Sequence, residues 1–292
     1  MITIFSTPKD FFGEYEIIQK NAISSWRAIS KDIEIIIMGD SKGAKEVADS
    51  INAIYIANIP SSDHGTPTIP GLFETANRNG SNNIYCFLNS DIILAPDFIT
   101  AIKGINLKMN KFLAVGHRFN IDVISAIDFS NQSESELFFR KAQIEAVKES
   151  SSAIDIFCFT KGVYKNIPKF TVGRDGFDNW LLWKARRNLV PVIDITTTTK
   201  IFHQNHSYNF KGFKKHSDVQ NSQETKDNQI LLGSNALNLK DANWVFDSNR
   251  VQKKNDAKFK QRNLGKLPII FPEFSIILNI YKKIYRRISN LF

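Results

Sequence analysis

IYCFLNSDIIL, residues 84–94, sets Asn, Ser and Asp in the middle of a run otherwise fit for a protein interior. Seven of the eight flanking residues are apolar, and the eighth is Tyr85, whose ring also packs. A buried carboxylate without a partner costs several kcal/mol. Asp91 therefore stands either at an exposed strand end or beside a counter-charge, and the neighbouring segments bear on which.

ITIFST (2–7) reads as a short strand ending in Ser-Thr-Pro, followed by a helix over 14–29. Tyr15, Ile18, Ala22 and Trp26 lie near one face of that helix, at spacings of three and four. IEIIIMGD (33–40) is a β-branched strand, KGAKEVADSI a helix and AIYIANI (53–59) a strand. SSDHGTPTIPG (61–71) is a loop by its Gly, Pro and Ser content. LFETANRNG is a helix closed by glycine, and 84–94 is the fourth strand. Beyond it, 96–105 reads as a helix, 112–118 as a strand, 131–152 as a polar helix and 154–164 as a strand. TVGRDGFDNWLLWKARR (171–187) begins as a loop and becomes a helix, while 190–196 and 199–206 are strand-like. From 208 to 249 the chain turns polar and irregular.

This alternation predicts an α/β, Rossmann-like fold with a mostly parallel central sheet flanked by helices. Ligands of such sheets bind beyond the carboxyl ends of the strands. Thr7, Asp40 and Asp91 all fall at such ends, so three groups distant in sequence converge on one crevice.

The chain has 292 residues, 42% of them hydrophobic and 12% aromatic, which is ample for a packed core. Cys86 and Cys158 sit inside apolar runs without metal-site spacing and read as small buried hydrophobes in a reducing compartment. No basic lead with a long apolar stretch opens the sequence, and no run approaches the ~20 apolar residues of a membrane span. A cytoplasmic protein is expected. The net charge of +9 is concentrated: residues 250–292 carry 11 Lys and Arg against 2 Asp and Glu, leaving 27 of each sign before them. A neutral body with a basic appendage argues against a nucleic-acid partner, whose enzymes spread basic residues around the cleft. No G-x-G-x-x-G, P-loop or G-x-S-x-G motif is present.

The order of elements over roughly residues 1–210 resembles the GT-A class of nucleotide-sugar-dependent glycosyltransferases. The residues that carry the resemblance are the ST-P end of the first strand, the GD end of the second, NSD, GRDGFDNW and the late His of IFHQNH. It implies a GT-A catalytic domain over 1–249 and a sugar transferred from a nucleoside-diphosphate donor. Resemblance favours bacterial surface polysaccharide assembly, such as capsule or O-antigen. Thr7, Asp40, Thr66, Asn89, Asp91 and Arg118 then face the donor, whose two phosphates a divalent cation, Mn²⁺ or Mg²⁺, neutralises.

Asp91, with His203 or His206, is the expected metal ligand set. The family motif usually begins with Asp where this chain has Asn89, so one carboxylate is missing and metal binding leans more on the histidines. If 199–206 continues as a strand, His203 and His206 point to opposite faces and only one reaches the metal. Asp178 is the preferred base for an inverting transfer and Asp175 an acceptor or sugar contact, with their roles exchangeable. Either one also suits a helix N-cap. Trp180 offers a stacking face to an acceptor sugar, or belongs to the core with Trp183. Thr66, after His64 and Gly65, suits a phosphate or base contact as well as a plain proline turn. Arg118 suits phosphate, an acidic sugar or a surface salt bridge.

FPEFSIILNIYKKIYRRISNLF (271–292), wound as a helix, collects Ile277, Tyr281, Ile284, Ile288 and Leu291 on one face. Lys282, Lys283, Arg286 and Arg287 each add about 1 kcal/mol at an anionic leaflet. Residues 250–292 are thus expected to be a basic linker and amphipathic tail. That tail would hold the protein peripherally at the inner face of the plasma membrane, beside a glycan or lipid-linked acceptor. The rival enzyme, a sugar nucleotidyltransferase, would carry a glycine-rich basic loop near its start, which ITIFSTPKDFFGE lacks. The rival from another class is a non-catalytic glycan-binding or scaffold protein on the same fold.

Overall fold

A computed structural model describes residues 1–207, 212–275 and 280. The first half runs β1 (Ile2–Ser6), α1 (Glu14–Ala28), β2 (Glu34–Met38), α2 (Ala44–Ser50), β3 (Ile54–Ile56), α3 (Ile69–Asn79), β4 (Ile84–Leu88), β5 (Ile92–Leu94), α4 (Asp97–Asn106), β6 (Leu113–Val115) and β7 (Arg118–Ile121). It continues with α5 (Gln132–Glu145), β8 (Val147–Lys148), β9 (Ile156–Thr160), α6 (Phe177–Arg187), β10 (Val192–Asp194) and β11 (Ile201–Gln204). The last part is α7 (His216–Gln220), α8 (Gln223–Leu232), β12 (Trp244–Asp247), β13 (Arg250–Lys253) and α9 (Ala257–Ile270).

Nine strands form one sheet in the order β13-β12-β10-β6-β9-β4-β1-β2-β3. β9 runs antiparallel to both β4 and β6, and β13 antiparallel to β12, while the remaining pairs are parallel. The expected mostly parallel sheet is present. Alternate side chains of β4 divide between two cores, as a pleat of period two requires. Ile84, Cys86 and Leu88 pack with α1, α2 and α4, while Tyr85 and Phe87 pack with α3 and α6. Cys86 and Cys158 face each other across β4 and β9 as buried free thiols.

The opening stretch is two strands instead of one. Ser6 Oγ donates to the Leu88 carbonyl, the Asn89 amide to Asp155, and the Ile92 amide back to Asn89. Asn-Ser-Asp therefore forms a turn, and β5 leaves the large sheet to join a smaller one ordered β5-β11-β7-β8. Trp26 Nε1 donates to the Ile92 carbonyl at 2.7 Å and pins that departure.

Two expectations change toward the carboxyl end. The stretch 208–249 is less irregular than its composition suggests, since it holds α7, α8 and β12. The boundary drawn after 249 falls between two paired strands, Asp247 opposite Arg250 and Trp244 opposite Lys253. α9 also docks on the body, with Trp183 Nε1 donating to the Ile269 carbonyl and Arg262 forking onto both oxygens of Asp241. The compositional shift marks a basic surface and not a domain edge. The proposed tail residues Lys282, Lys283, Arg286 and Arg287 lie outside the described residues. Among the described residues no helix is long and apolar enough to cross a membrane.

Candidate active site

The carboxyl ends of β1, β2, β3 and β4 open on one cleft of about 1270 Å³. Thr7, Asp40, Thr66, Asn89, Asp91 and Arg118 all line it, so the six donor-side residues read from sequence meet there. Gly39, with φ +102°, lets β2 end against β1; a Cβ on it would sit 3.1 Å from Thr7 Oγ1.

Asp91 sits at the junction of the two sheets. His206 Nε2 lies 3.3 Å and His203 Nε2 3.7 Å from Asp91 Oδ2, and the three side chains offer ligand atoms all within 4.8 Å of one another. The expectation that only one histidine reaches this point is corrected. β11 stops at Gln204, whose amide and side chain both bond the Asp91 carbonyl, and the chain then turns. Strand alternation thus no longer applies at His206, whose ring packs beside Tyr15 and His203. Burial alone would raise the Asp91 pKa, but His203, His206 and Lys9 outweigh it and hold the carboxyl well below the usual range. Burial lowers His203, with Asp91 opposing. Asp91 Oδ2 faces the two imidazoles, and Oδ1 is a buried acceptor without a hydrogen-bond partner. One carboxylate and two imidazoles suit a divalent first-row cation such as Mn²⁺, so these residues fit the expected metal.

Asp178 is the second residue of α6. Phe177 packs its ring on Phe87 and Phe157, which seats the start of α6 beside the ends of β4 and β9. Burial pushes the Asp178 carboxyl up to about 7, and the charges of Asp155 and Asp175 add to the rise. The helix is capped by Gly176 at φ 112°, so neither aspartate is the N-cap. Neither Asp178 nor Asp175 is among the residues lining the cleft, whose wall on this side is Val172, Gly173 and Arg174; Asp178 is half-buried behind them and Asp175 is exposed on the preceding loop.

Across the cleft, Arg174 and Glu224 form a buried ion pair at 2.6 Å. Ser62 and Thr66 donate their hydroxyls to the same Glu224 carboxylate. Two loops are thereby tied to α8, and either member of the ion pair alone would be left as an uncompensated buried charge.

No family model matches the chain, and no curated protein matches it. Solved structures do. Glucosyl-3-phosphoglycerate synthase from Mycobacterium tuberculosis in complex with Mg²⁺ and UDP aligns at TM-score 0.51 and 13% identity, over 81% of this chain and 79% of that one. The same enzyme with Mn²⁺, UDP-glucose and phosphoglyceric acid aligns at TM-score 0.51 and 13% identity, over 80% and 79%. The chain has a GT-A fold.

Within that GT-A frame, one expected contact is corrected. The Trp180 ring is 4% exposed and packs between Phe170 and Trp183, so it offers no face to an acceptor. Thr66 lines the cleft, and its hydroxyl also donates to Glu224 at 3.3 Å. Arg118 forms the salt bridge among its readings, pairing with Asp155 at 3.3 Å and more loosely with Glu149, and it also lines the cleft. Sequence reasoning passed over Lys9, Arg174, Glu224 and Asp155. Lys9 follows the ST-P motif directly, and burial lowers its pKa to about 8 while Asp91 opposes the fall. It lies over the Tyr15 ring at 4.2 Å and lines the cleft. Position next to a strand end was the available signal for Lys9, and the GRDG string for Arg174. Nothing local marked Glu224, whose partners lie 50 and 162 residues away.

Proposed function

We propose that this chain is a glycosyltransferase that moves a sugar from a nucleoside-diphosphate donor to an acceptor hydroxyl. One observation carries the reading: Asp91, His203 and His206 converge at the rim of a cleft roomy enough for a sugar nucleotide and part of an acceptor. The relatives in fold are reported with UDP, UDP-glucose and Mg²⁺ or Mn²⁺, which supports the same donor chemistry here. Asp91, His203 and His206 would hold the divalent cation, which when bound neutralises the diphosphate as it leaves. Lys9 and Arg118 place further positive charge along the cleft.

Asp178 is the base for an inverting transfer. The acceptor oxygen bonds the anomeric carbon, the bond from that carbon to the diphosphate breaks, and the hydroxyl proton passes to the Asp178 carboxylate. A carboxyl at about 7 is matched to that task near neutrality.

The acceptor we favour is a lipid-linked surface glycan at the inner face of the plasma membrane. Its support is the net charge of +9 carried by residues 250–292 of an otherwise neutral chain. Deleting residues 281–292 is expected to release the protein from anionic vesicles; equal binding by the shortened chain would remove this part of the reading.

The donor is tested by thermal shift with UDP-, GDP-, CMP- and dTDP-sugars, with and without Mn²⁺. A donor at 100 times its dissociation constant adds about 2.7 kcal/mol of stability, and the shift should need Mn²⁺. Silence with every donor would favour a glycan-binding scaffold on the same fold.

A further inference from the structure

Asn89 stands where the resembling family usually carries an acid, yet a carboxylate lies against it. Asn89 is the first residue past β4, and Asp155 the residue before β9, opposite it across the ladder. The two are joined twice: the Asn89 amide donates to the Asp155 carbonyl at 3.2 Å, and Asn89 Nδ2 to Asp155 Oδ1 at 2.8 Å. Asp155 Oδ2 takes Arg118 at 3.3 Å. Asp155 keeps only 11% of its side chain exposed, while Asn89 and Arg118 both line the cleft.

An ionised carboxylate only accepts hydrogen bonds, so it fixes which way the neighbouring amide turns. With Nδ2 committed to Asp155, the Asn89 carbonyl oxygen is turned away from it. Arg118 is likewise oriented from behind by the same acid through Nη1, and its Nε is buried without a hydrogen-bond partner. Burial raises the Asp155 pKa, and Arg118 and His203 counter it.

We infer that Asp155 is a positioning residue that supplies, from the position just before β9, the negative charge missing at position 89, presenting the Asn89 carbonyl oxygen and the Arg118 guanidinium to the donor. The inference rests on the glycosyltransferase reading above. In this chain the amide faces the cleft and the acid sits behind it. Charge at the cleft wall is thereby lowered by one, while Arg118 keeps a buried counter-ion. Reversing the pair in the double variant Asn89→Asp/Asp155→Asn should preserve its hydrogen bond. The amide introduced at position 155 would then donate to the carboxylate introduced at position 89.

The test uses the full chain, with Mn²⁺ binding followed by electron paramagnetic resonance and UDP binding by thermal shift. Asp155→Asn is expected to weaken Mn²⁺–UDP binding about 10-fold or more, the usual cost of removing a partner behind a ligand. The double variant should bind Mn²⁺ as tightly as the wild type or tighter, since a carboxylate again borders the cluster. A merely structural role for Asp155 would instead lower the melting temperature of Asp155→Asn while the folded variant bound Mn²⁺ and UDP as the wild type does. If the wild type binds Mn²⁺ and UDP but Asp155→Asn binds them equally well, the inference fails and the glycosyltransferase reading stands. A double variant that fails to fold, or folds without regaining binding, also overturns it, whether or not Asp155→Asn is soluble. If the wild type binds neither probe, the underlying reading falls first.

Discussion

Asp178→Asn is expected to lower turnover of the bound donor by about 10²–10⁴-fold, the usual worth of a positioned base, with UDP affinity little changed. The wild-type rate should climb with pH and level off above about 7, because the carboxyl must be ionised before it can take a proton. In the variant that rise should vanish. Stability gives an independent sign. The folded state holds the Asp178 proton more tightly than the unfolded chain does, so the unfolded chain ionises first. Stability is therefore lost as pH climbs from the ordinary carboxylate range through about 7. The Asn variant escapes that loss and should melt above the wild type at pH 8, with the gain absent at pH 3. An acid present only to complement the helix dipole would show the opposite sign, its removal lowering the melting temperature. Unchanged turnover in Asp178→Asn would refute the assignment of the base.

Asp91→Ala should remove Mn²⁺ binding and, with it, the Mn²⁺-dependent shift by UDP. His203 and His206 alone leave two neutral donors and no negative charge, a poor set for a hard cation. Lys9 also loses the acid that helps it keep its proton. A cation at a departing diphosphate contributes several kcal/mol, so donor turnover should fall by about 10²-fold or more. Metal titration followed by electron paramagnetic resonance reads the first effect and release of free nucleoside diphosphate the second. A variant that retains the wild-type Mn²⁺ affinity would show that the cluster is a packing arrangement of histidines and not a metal centre.

Local pattern was enough for the parallel half of the large sheet, because β1, β2 and β4 are apolar on both faces and separated by helices of ordinary length. The ends of β1 and β2 were equally legible, which is why Thr7 and Asp40 could be grouped before any contact was known. Three things were not. The Asn-Ser-Asp turn splits one apolar run into strands of two sheets, and that depends on Asp155 and Trp26, which are remote in sequence. His206 reaches Asp91 because β11 ends two residues earlier, and a strand end at Gln204 has no signature in TKIFHQNH. Trp180 carries the same letter whether it faces a sugar or a core, and only the packing of Phe170 and Trp183 decides. Basic composition likewise disguised β13 and α9 as an appendage, since surface charge says nothing about what the opposite face of an edge strand is bonded to.

The break after Leu88 has a mechanical result. Asn89 belongs to the border of the nine-stranded sheet, His203 to the four-stranded one, and Asp91 to the short bridge of chain that passes between them. A cation gripped by Asp91 and both imidazoles would act as a rivet across that seam, so occupancy and the relative slide of the two sheets become a single variable.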